Sequence, residues 1–128
     1  LSIAASATEA VQVGEITTGN NSYYYLSDGT NIAQGGGPSL PQTTRSVRTL
    51  RVDGRGAGKL IDKVNDGAAV TADTSAVGSI VPTAMRIGSS ATSGGNADDG
   101  EIEAVFTLDR SISDAEHGLL VAYYGGGL

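Results

Sequence analysis

Glycine-containing turn signals recur along the chain at intervals of about 8–12 residues, and this spacing restricts the fold more than any other feature. The sequence has 19 glycines in 128 residues, well above the average share of ~7%. A chain interrupted so often has room for many short strands and for few helices. The spacing therefore predicts an all-β fold, either a sandwich or a barrel of antiparallel strands.

The first half of the chain shows the clearest of these turns. We expect a strand over 22–27, a hairpin turn of type I′ at Asp28-Gly29, and a return strand over 31–34. Residues 35–41 are expected to form a loop, because three glycines and two prolines do not suit the interior of a ladder. The remaining predicted strands are weak ones within 2–16, a central strand at 45–53, and further strands at 59–64, 68–72 and 84–87.

Residues 101–108 alternate between an apolar face and an outer face that carries Glu101, Glu103, Val105 and Thr107. This alternation predicts a strand with one exposed and one buried face. The buried face would carry Ile102, Ala104, Phe106 and Leu108. A capping box at Ser113 and Glu116 then predicts a helix that runs to about Tyr124 and packs its apolar stripe against the sheets. That stripe comprises Ala115, Leu119, Ala122 and Tyr123.

Several short motifs occur in a fixed order in the second half of the chain. Met85-Arg86-Ile87-Gly88 precedes Asp99-Gly100-Glu101-Ile102-Glu103, and Leu108–Glu116 leads into the helix, with Ile112 where a leucine is usual. This order resembles the end of a laminin-G-like domain of the concanavalin A-like family, and Leu50–Gly54 is similar to the Val-Asp-Gly hairpin of that family. The resemblance covers about residues 45–125.

The resemblance implies an antiparallel β-sandwich of the jelly-roll type with one short C-terminal helix, over a single domain of residues 1–128. Members of the family usually begin with additional strands. We therefore expect a sandwich that is incomplete at its N-terminal end or is completed there by another chain. The matching motifs have structural roles in the family, so they predict fold rather than chemistry.

Charge and composition argue against several functions. The net charge of −6 disfavours nucleic acids and anionic membrane surfaces as partners. The sequence has no apolar run of the ~20 residues that a membrane span needs. Without cysteine there is neither a disulfide framework nor a thiolate metal site. Most cations lie within 45–63 and many acids within 98–116; these blocks either face each other or, as we expect, are separately solvated.

Candidate ligand-binding residues are few. Tyr23 and Tyr25 point to the same side of their strand and could stack against a sugar, although a role in the core or at a sheet edge is the more common one. Asn96, Asp98 and Asp99 lie in a glycine-rich loop and could supply oxygen ligands to calcium, although short acidic loops are usually solvated. No other cofactor is expected.

No pattern predicts catalysis. His117 is the only histidine and is expected on the exposed surface of the helix. Glu101 and Glu103 are two residues apart, a spacing found in glycoside hydrolases of the concanavalin-like fold, but the resemblance places them on a structural strand. A glycoside hydrolase is therefore the least favoured hypothesis.

We expect a non-enzymatic structural or assembly module in a virion or outside the cell. A capsid-decorating, tail or head-fibre component of a bacteriophage fits the glycine- and alanine-rich, cysteine-free, acidic composition. Its partners would be another protein or copies of itself. The alternative is a lectin-like module that binds a glycan, with or without calcium, which rests on analogy with the concanavalin A-like family.

Overall fold

The computed structural model of the chain describes residues 2–4, 9–16, 21–41, 44–80, 84–86 and 104–125. Its strands form two antiparallel sheets, followed by one short helix, as the turn spacing and the capping box predict. In chain order the elements are β1 (Ser2–Ala4), β2 (Glu9–Ile16), β3 (Asn21–Asp28), β4 (Ile32–Ser39), β5 (Arg48–Val52), β6 (Leu60–Val64), β7 (Val70–Ala72), β8 (Ala84–Arg86), α1 (Asp114–Leu120) and a π-helical turn (Val121–Gly125) that continues α1.

The larger sheet has the strand order β4-β3-β2-β1-β8, and the smaller sheet has the order β5-β6-β7. One apolar core joins them, because β4 contacts both β6 and β7. Its buried cluster consists of Tyr24, Leu26, Ala33, Leu60 and Val77. Partly buried side chains surround this cluster: Val11, Leu50, Val52, Val70, Ala72 and Ile80. Full burial of one leucine side chain stabilises the fold by about 1.5–3 kcal/mol.

The loop predicted over 35–41 is largely the second half of β4, so that prediction is wrong. β4 lies at the edge of the larger sheet, where Pro38 is tolerated because one side of the strand needs no ladder partner. The register with β3 also shifts next to this proline. Position 35 pairs with Tyr24 and favours glycine, since a Cβ at this position would lie 2.5 Å from the tyrosine hydroxyl oxygen.

The hairpin between β3 and β4 is confirmed, but its turn is not of type I′. That turn needs a positive φ at both central residues. Gly29 has a φ of +90°, whereas the φ of Asp28 is not positive. The Asp28 carboxylate instead accepts hydrogen bonds from the backbone N–H groups of Thr30 (2.8 Å) and Asn31 (2.7 Å) and closes a three-residue loop.

The central strand predicted over 45–53 is the shorter β5, which lies at an edge of the smaller sheet, and β6 is the central strand. The assignment of its two faces is correct. Leu50 and Val52 pack against the core. Thr49 and Arg51 point away from it and contact the C-terminal segment.

The strand predicted over 101–108 does not form in its described part, residues 104–108, and residues 101–103 lie outside the described residues. Phe106 is 59% exposed and Leu108 is 60% exposed, contrary to the predicted burial. Alternation produces a strand only where a sheet edge accepts its hydrogen bonds. Among the described strands, residues 104–108 pair with neither edge of either sheet, and none of them belongs to the described core cluster.

Candidate functional site

Polar contacts attach the C-terminal segment, residues 104–125, to the face of the smaller sheet that points away from the core. The Arg51 guanidinium donates to the Ile112 carbonyl oxygen at 2.8 Å and to the Asp114 carboxylate at 2.6 Å. The hydrogen bond and the positive charge of Arg51 lower the pKa of Asp114. Arg51 and Asp114 also belong to the two opposite charge blocks of the sequence. The blocks therefore meet at this point instead of being fully solvated.

His117 is the second attachment point, and its predicted exposure on the helix surface is wrong. Its side chain is completely buried, and it is the buried residue of α1. The Nε2 atom lies 2.7 Å from the Asn65 carbonyl oxygen, and Nδ1 lies 2.9 Å from Thr49 Oγ1. Because a carbonyl oxygen can only accept, Nε2 carries a proton and donates it, and in the neutral ring Nδ1 accepts from the threonine hydroxyl.

The predicted capping box at the start of α1 is confirmed. Ser113 Oγ accepts from the Glu116 backbone N–H at 3.2 Å, and the Glu116 carboxylate accepts from the Ser113 backbone N–H at 2.8 Å. Arg110 forms a two-armed ion pair with the same carboxylate, with distances of 2.6 and 3.1 Å. The Arg110 and Ser113 hydrogen bonds lower the pKa of Glu116 to about 2.

The apolar stripe of the helix faces solvent, so its predicted contact with the sheets is wrong. Leu119 of α1 is 71% exposed, and Tyr123 of the π-helical turn that continues it is 78% exposed. Tyr124 contacts both Tyr123, with ring centroids 4.8 Å apart, and Phe106, at 5.7 Å. We call the exposed group of Phe106, Leu108, Leu119 and Tyr123 the C-terminal apolar patch.

A second surface lies on the outer face of the larger sheet. Tyr24 points into the core, whereas its neighbours Tyr23 and Tyr25 point outward and are half-buried. They line an open depression of about 350 Å³ together with Tyr24, Gln34 and Gly35. We call Tyr23, Tyr25 and Gln34 the tyrosine platform. The sequence analysis named both outward tyrosines, and the structure adds Gln34.

Small and amide residues occupy the positions beside these two tyrosines. In the register of the sheet, Tyr23 lies between Gly14 of β2 and Gly36 of β4. Tyr25 lies between Gln12 and Gln34 in the same way. A Cβ added at Gly36 would meet no atom within 4 Å. The glycines therefore leave the flanks of the Tyr23 ring uncovered by cross-strand side chains.

The interior between the sheets holds one buried ion pair. Asp62 is completely buried and accepts two hydrogen bonds from Arg48, at 2.6 and 2.9 Å. Arg48 also donates to the Tyr23 carbonyl oxygen at 2.9 Å and so links the smaller sheet to β3. Gly37 lies directly beside this pair, since a Cβ there would be 2.4 Å from Asp62 Oδ2. The pair has a structural role, because it is enclosed.

The remaining candidates of the sequence analysis cannot be placed. The calcium candidates Asn96, Asp98 and Asp99 lie outside the described residues, as do Glu101 and Glu103. Within the part of the chain that the structure describes, no group of three or more His, Cys, Asp or Glu residues could hold a metal ion. No helix in that same part is long and apolar enough to cross a membrane.

No family model, curated protein or solved structure matches the chain. The candidate sites therefore rest on their own geometry. Sequence reasoning identified the apolar helix stripe but assigned it to the core. It missed the burial of His117 and the Arg48–Asp62 pair, for which no local pattern gives a signal.

Proposed function

We propose that this protein is a non-enzymatic assembly module that binds another protein chain, or a second copy of itself, through the C-terminal apolar patch. The observation that carries this proposal is the exposure of the patch on a segment that is firmly attached elsewhere. Contiguous exposed apolar groups mark interaction surfaces in many proteins.

The orientation of α1 supports the proposal. An amphipathic surface helix normally buries its apolar side and exposes its polar side. Here the buried residue of α1 is His117, while Leu119, and Tyr123 in the π-helical turn after it, face solvent. The hydrogen bonds of His117 and of Arg51 hold the helix with this side outward. The apolar side is thus presented without the entropic cost of ordering it on binding.

The energy available from the patch is moderate. Burial of a leucine or an aromatic side chain stabilises a complex by about 1.5–3 kcal/mol. Loss of translational and rotational freedom opposes association by about 4–15 kcal/mol. Phe106, Leu108, Leu119 and Tyr123 would therefore act as central anchors of a contact that also includes polar residues around them.

We propose more specifically that the chain folds as a jelly-roll sandwich and belongs to a phage virion or an extracellular assembly. Two antiparallel sheets with a shared core and the capped helix at Ser113 support this fold and the resemblance to concanavalin A-like domains. Residues 104–108 depart from the family pattern, which would place them in a strand. Composition supports the virion origin.

Size-exclusion chromatography with multi-angle light scattering tests the assembly. We expect the wild type to self-associate, and the Leu119→Ser/Tyr123→Ser variant to be a monomer with an unchanged circular dichroism spectrum. Ile32→Ser is the matched control, because Ile32 is also exposed (52%) but lies on β4 of the other sheet.

If the wild type is a monomer, the proposed partner is a different protein chain. Photo-crosslinking from position 119 in the native host should then capture one defined protein, and the same probe at position 32 should not. A monomer that yields no such product contradicts the proposal. Fractionation of the host culture into particles, medium and cells tests the virion or extracellular location.

A further inference from the structure

The loop that joins β5 to β6, residues 54–58, has no role in the proposed assembly contact. A hydrogen bond from the Asp53 backbone N–H to the Lys59 carbonyl oxygen, 2.7 Å long, closes it. We infer that this loop binds a phosphate group, either inorganic phosphate or the terminal phosphate of a phosphomonoester, through its backbone N–H groups and the side chains of Arg55 and Lys59. The inference is independent of the assembly proposal, because it uses no residue of the C-terminal apolar patch.

The carbonyl oxygens of the loop are turned toward the protein. Thr74 is completely buried, and its backbone N–H donates to the Gly56 carbonyl oxygen at 3.1 Å. Its hydroxyl group donates to the Gly54 carbonyl oxygen at 2.9 Å. No described peptide bond is cis, and in a trans peptide unit the N–H points opposite to the carbonyl group. The N–H groups of Arg55 and Ala57 therefore point away from Thr74, toward the outer side of the loop.

The backbone N–H groups of the loop have no acceptor in the protein. None of the five in residues 54–58 donates a hydrogen bond to another described residue. The backbone also alternates in conformation: φ is +90° at Gly54, +132° at Gly56 and +69° at Gly58, and it is not positive at the two residues between them. Such alternation brings successive N–H groups together in a concavity that binds anions. Glycine at every second position permits this conformation.

Two cations accompany these donors. Arg55 lies within the loop and Lys59 follows it, and both are exposed. Neither forms an ion pair within the described part of the chain, in contrast to Arg51. The Arg55 guanidinium donates to the Gly78 carbonyl oxygen, which holds it beside the loop while other N–H groups of the side chain remain available. Phosphate oxygens accept strong hydrogen bonds from such charged donors.

The composition of the loop favours a phosphate group over a larger ligand. Residues 54–58 include no aromatic side chain that could stack on a base or a sugar. A phosphomonoester carries nearly two negative charges at neutral pH, so two cations should bind it better than a singly charged phosphodiester. The carboxylate of Asp53, just before the loop, opposes anion binding. We therefore expect an affinity in the millimolar range that falls as salt is added.

The test is a two-dimensional NMR titration of the ¹⁵N-labelled protein with inorganic phosphate near neutral pH. Sodium chloride at equal ionic strength is the blank. We expect saturable shifts that are concentrated at the amides of residues 54–59 and are absent from the blank. Glycerol phosphate in a second titration distinguishes the two sources of the group: tighter binding than that of inorganic phosphate indicates a terminal phosphomonoester, and weaker binding indicates the free ion. Dimethyl phosphate should bind more weakly than either.

Ala57→Pro removes one N–H donor without a change in charge. The fold should be preserved, because this N–H has no protein acceptor and φ at position 57 is not positive. We expect phosphate to bind about fivefold more weakly, in line with the loss of one charge-assisted hydrogen bond. Ala57→Ser retains the N–H group and is the matched control.

A second variant tests the cations and does not depend on proline being accepted in the loop. Arg55→Gln/Lys59→Gln should weaken phosphate binding about tenfold and leave the circular dichroism spectrum unchanged. Lys63→Gln removes a positive charge from β6, outside the loop, and should leave binding nearly unchanged.

The inference is overturned if millimolar phosphate shifts none of the amides of residues 54–59, or if sodium chloride produces the same shifts. It is also overturned if the double glutamine variant, or a well-folded Ala57→Pro variant, binds phosphate as tightly as the wild type. None of these outcomes affects the test of the apolar patch, because that test uses different residues and measures mass.

Discussion

His117 Nδ1 lies 2.9 Å from Thr49 Oγ1, and this contact joins the C-terminal helix to β5 across 68 positions of sequence. The opposite ring nitrogen donates to the Asn65 carbonyl oxygen in the turn after β6. One buried imidazole thus connects three parts of the chain, and the presentation of the apolar patch depends on it.

We expect His117→Ala to lower the free energy of unfolding by about 2–4 kcal/mol, because it creates a cavity and leaves Thr49 and Asn65 without their partner. Urea unfolding followed by circular dichroism measures this change. Ala115→Ser, on the exposed side of the same helix, should change the free energy by no more than about 0.5 kcal/mol. A His117→Ala variant as stable as this control would show that the helix is not held by the imidazole.

The Arg48–Asp62 pair should behave as a unit. Asp62→Ala removes the buried carboxylate that accepts two hydrogen bonds from Arg48, and we expect a loss of about 3–5 kcal/mol in the free energy of unfolding. Replacing both partners, as in Arg48→Met/Asp62→Leu, should recover most of that loss, since the two charges are removed together. A double-mutant cycle of denaturant unfolding checks this. Strictly additive losses would mean that the two side chains are not coupled.

Two adjacent glycines of β4 offer a matched comparison. Gly37→Ala places a Cβ 2.4 Å from Asp62 Oδ2 and 2.5 Å from Ser22 Oγ, so we expect a loss of about 1–3 kcal/mol from overpacking. Gly36→Ala meets open space and should be neutral or slightly stabilising. Thermal unfolding of both variants measures the difference, and equal melting temperatures would contradict the described position of β4.

The carboxylate of Asp28 should make stability depend on pH. Backbone hydrogen bonds from Asn31, Gly78 and Thr30 lower its pKa far below the ordinary value. A depressed pKa in the folded state contributes stability that is fully present above the unfolded-state pKa of about 3.9. This contribution is lost as the pH falls from there toward the folded-state pKa.

The Asp28→Asn variant should therefore be less stable than the wild type at pH 7, and the two should converge as the pH falls below about 4. Urea unfolding at a series of pH values measures the slope. Asp66→Asn, in the exposed turn after β6, is the control and should follow the wild-type curve. An unchanged slope in Asp28→Asn would show that its hydrogen bonds do not persist in solution.

Local signals in the sequence predicted much of the secondary structure. The strands around Tyr24 and Leu60 and the capped start of α1 all depend on neighbours within a few residues, and each was found where expected. The loop predicted over 35–41 failed because Gly35 and Gly37 lie directly against side chains of other strands and not in a turn.

The outward direction of Tyr23 and Tyr25 was also predictable, because alternation on a strand assigns them to one side. The uncovered flanks of the Tyr23 ring were not predictable, since they depend on Gly14 and Gly36 in adjacent strands. The polar partners of His117 and the enclosure of Asp62 likewise come from residues distant in sequence. Patterns within a single segment carry no signal for such contacts.

By itself, the sequence determined the strands on either side of Gly29, the strand over Leu60–Val64 and the capped start of the helix, because backbone preferences and capping act over a few residues. It also determined which side chains share a face. Only the tertiary structure decided which face is covered. Phe106 and Leu119 lie on faces that look suited to a core, yet they are exposed, because the described core cluster is built from other residues and the helix is held through His117 and Arg51. Periodicity defines a face, but burial requires a partner surface that only the folded chain provides.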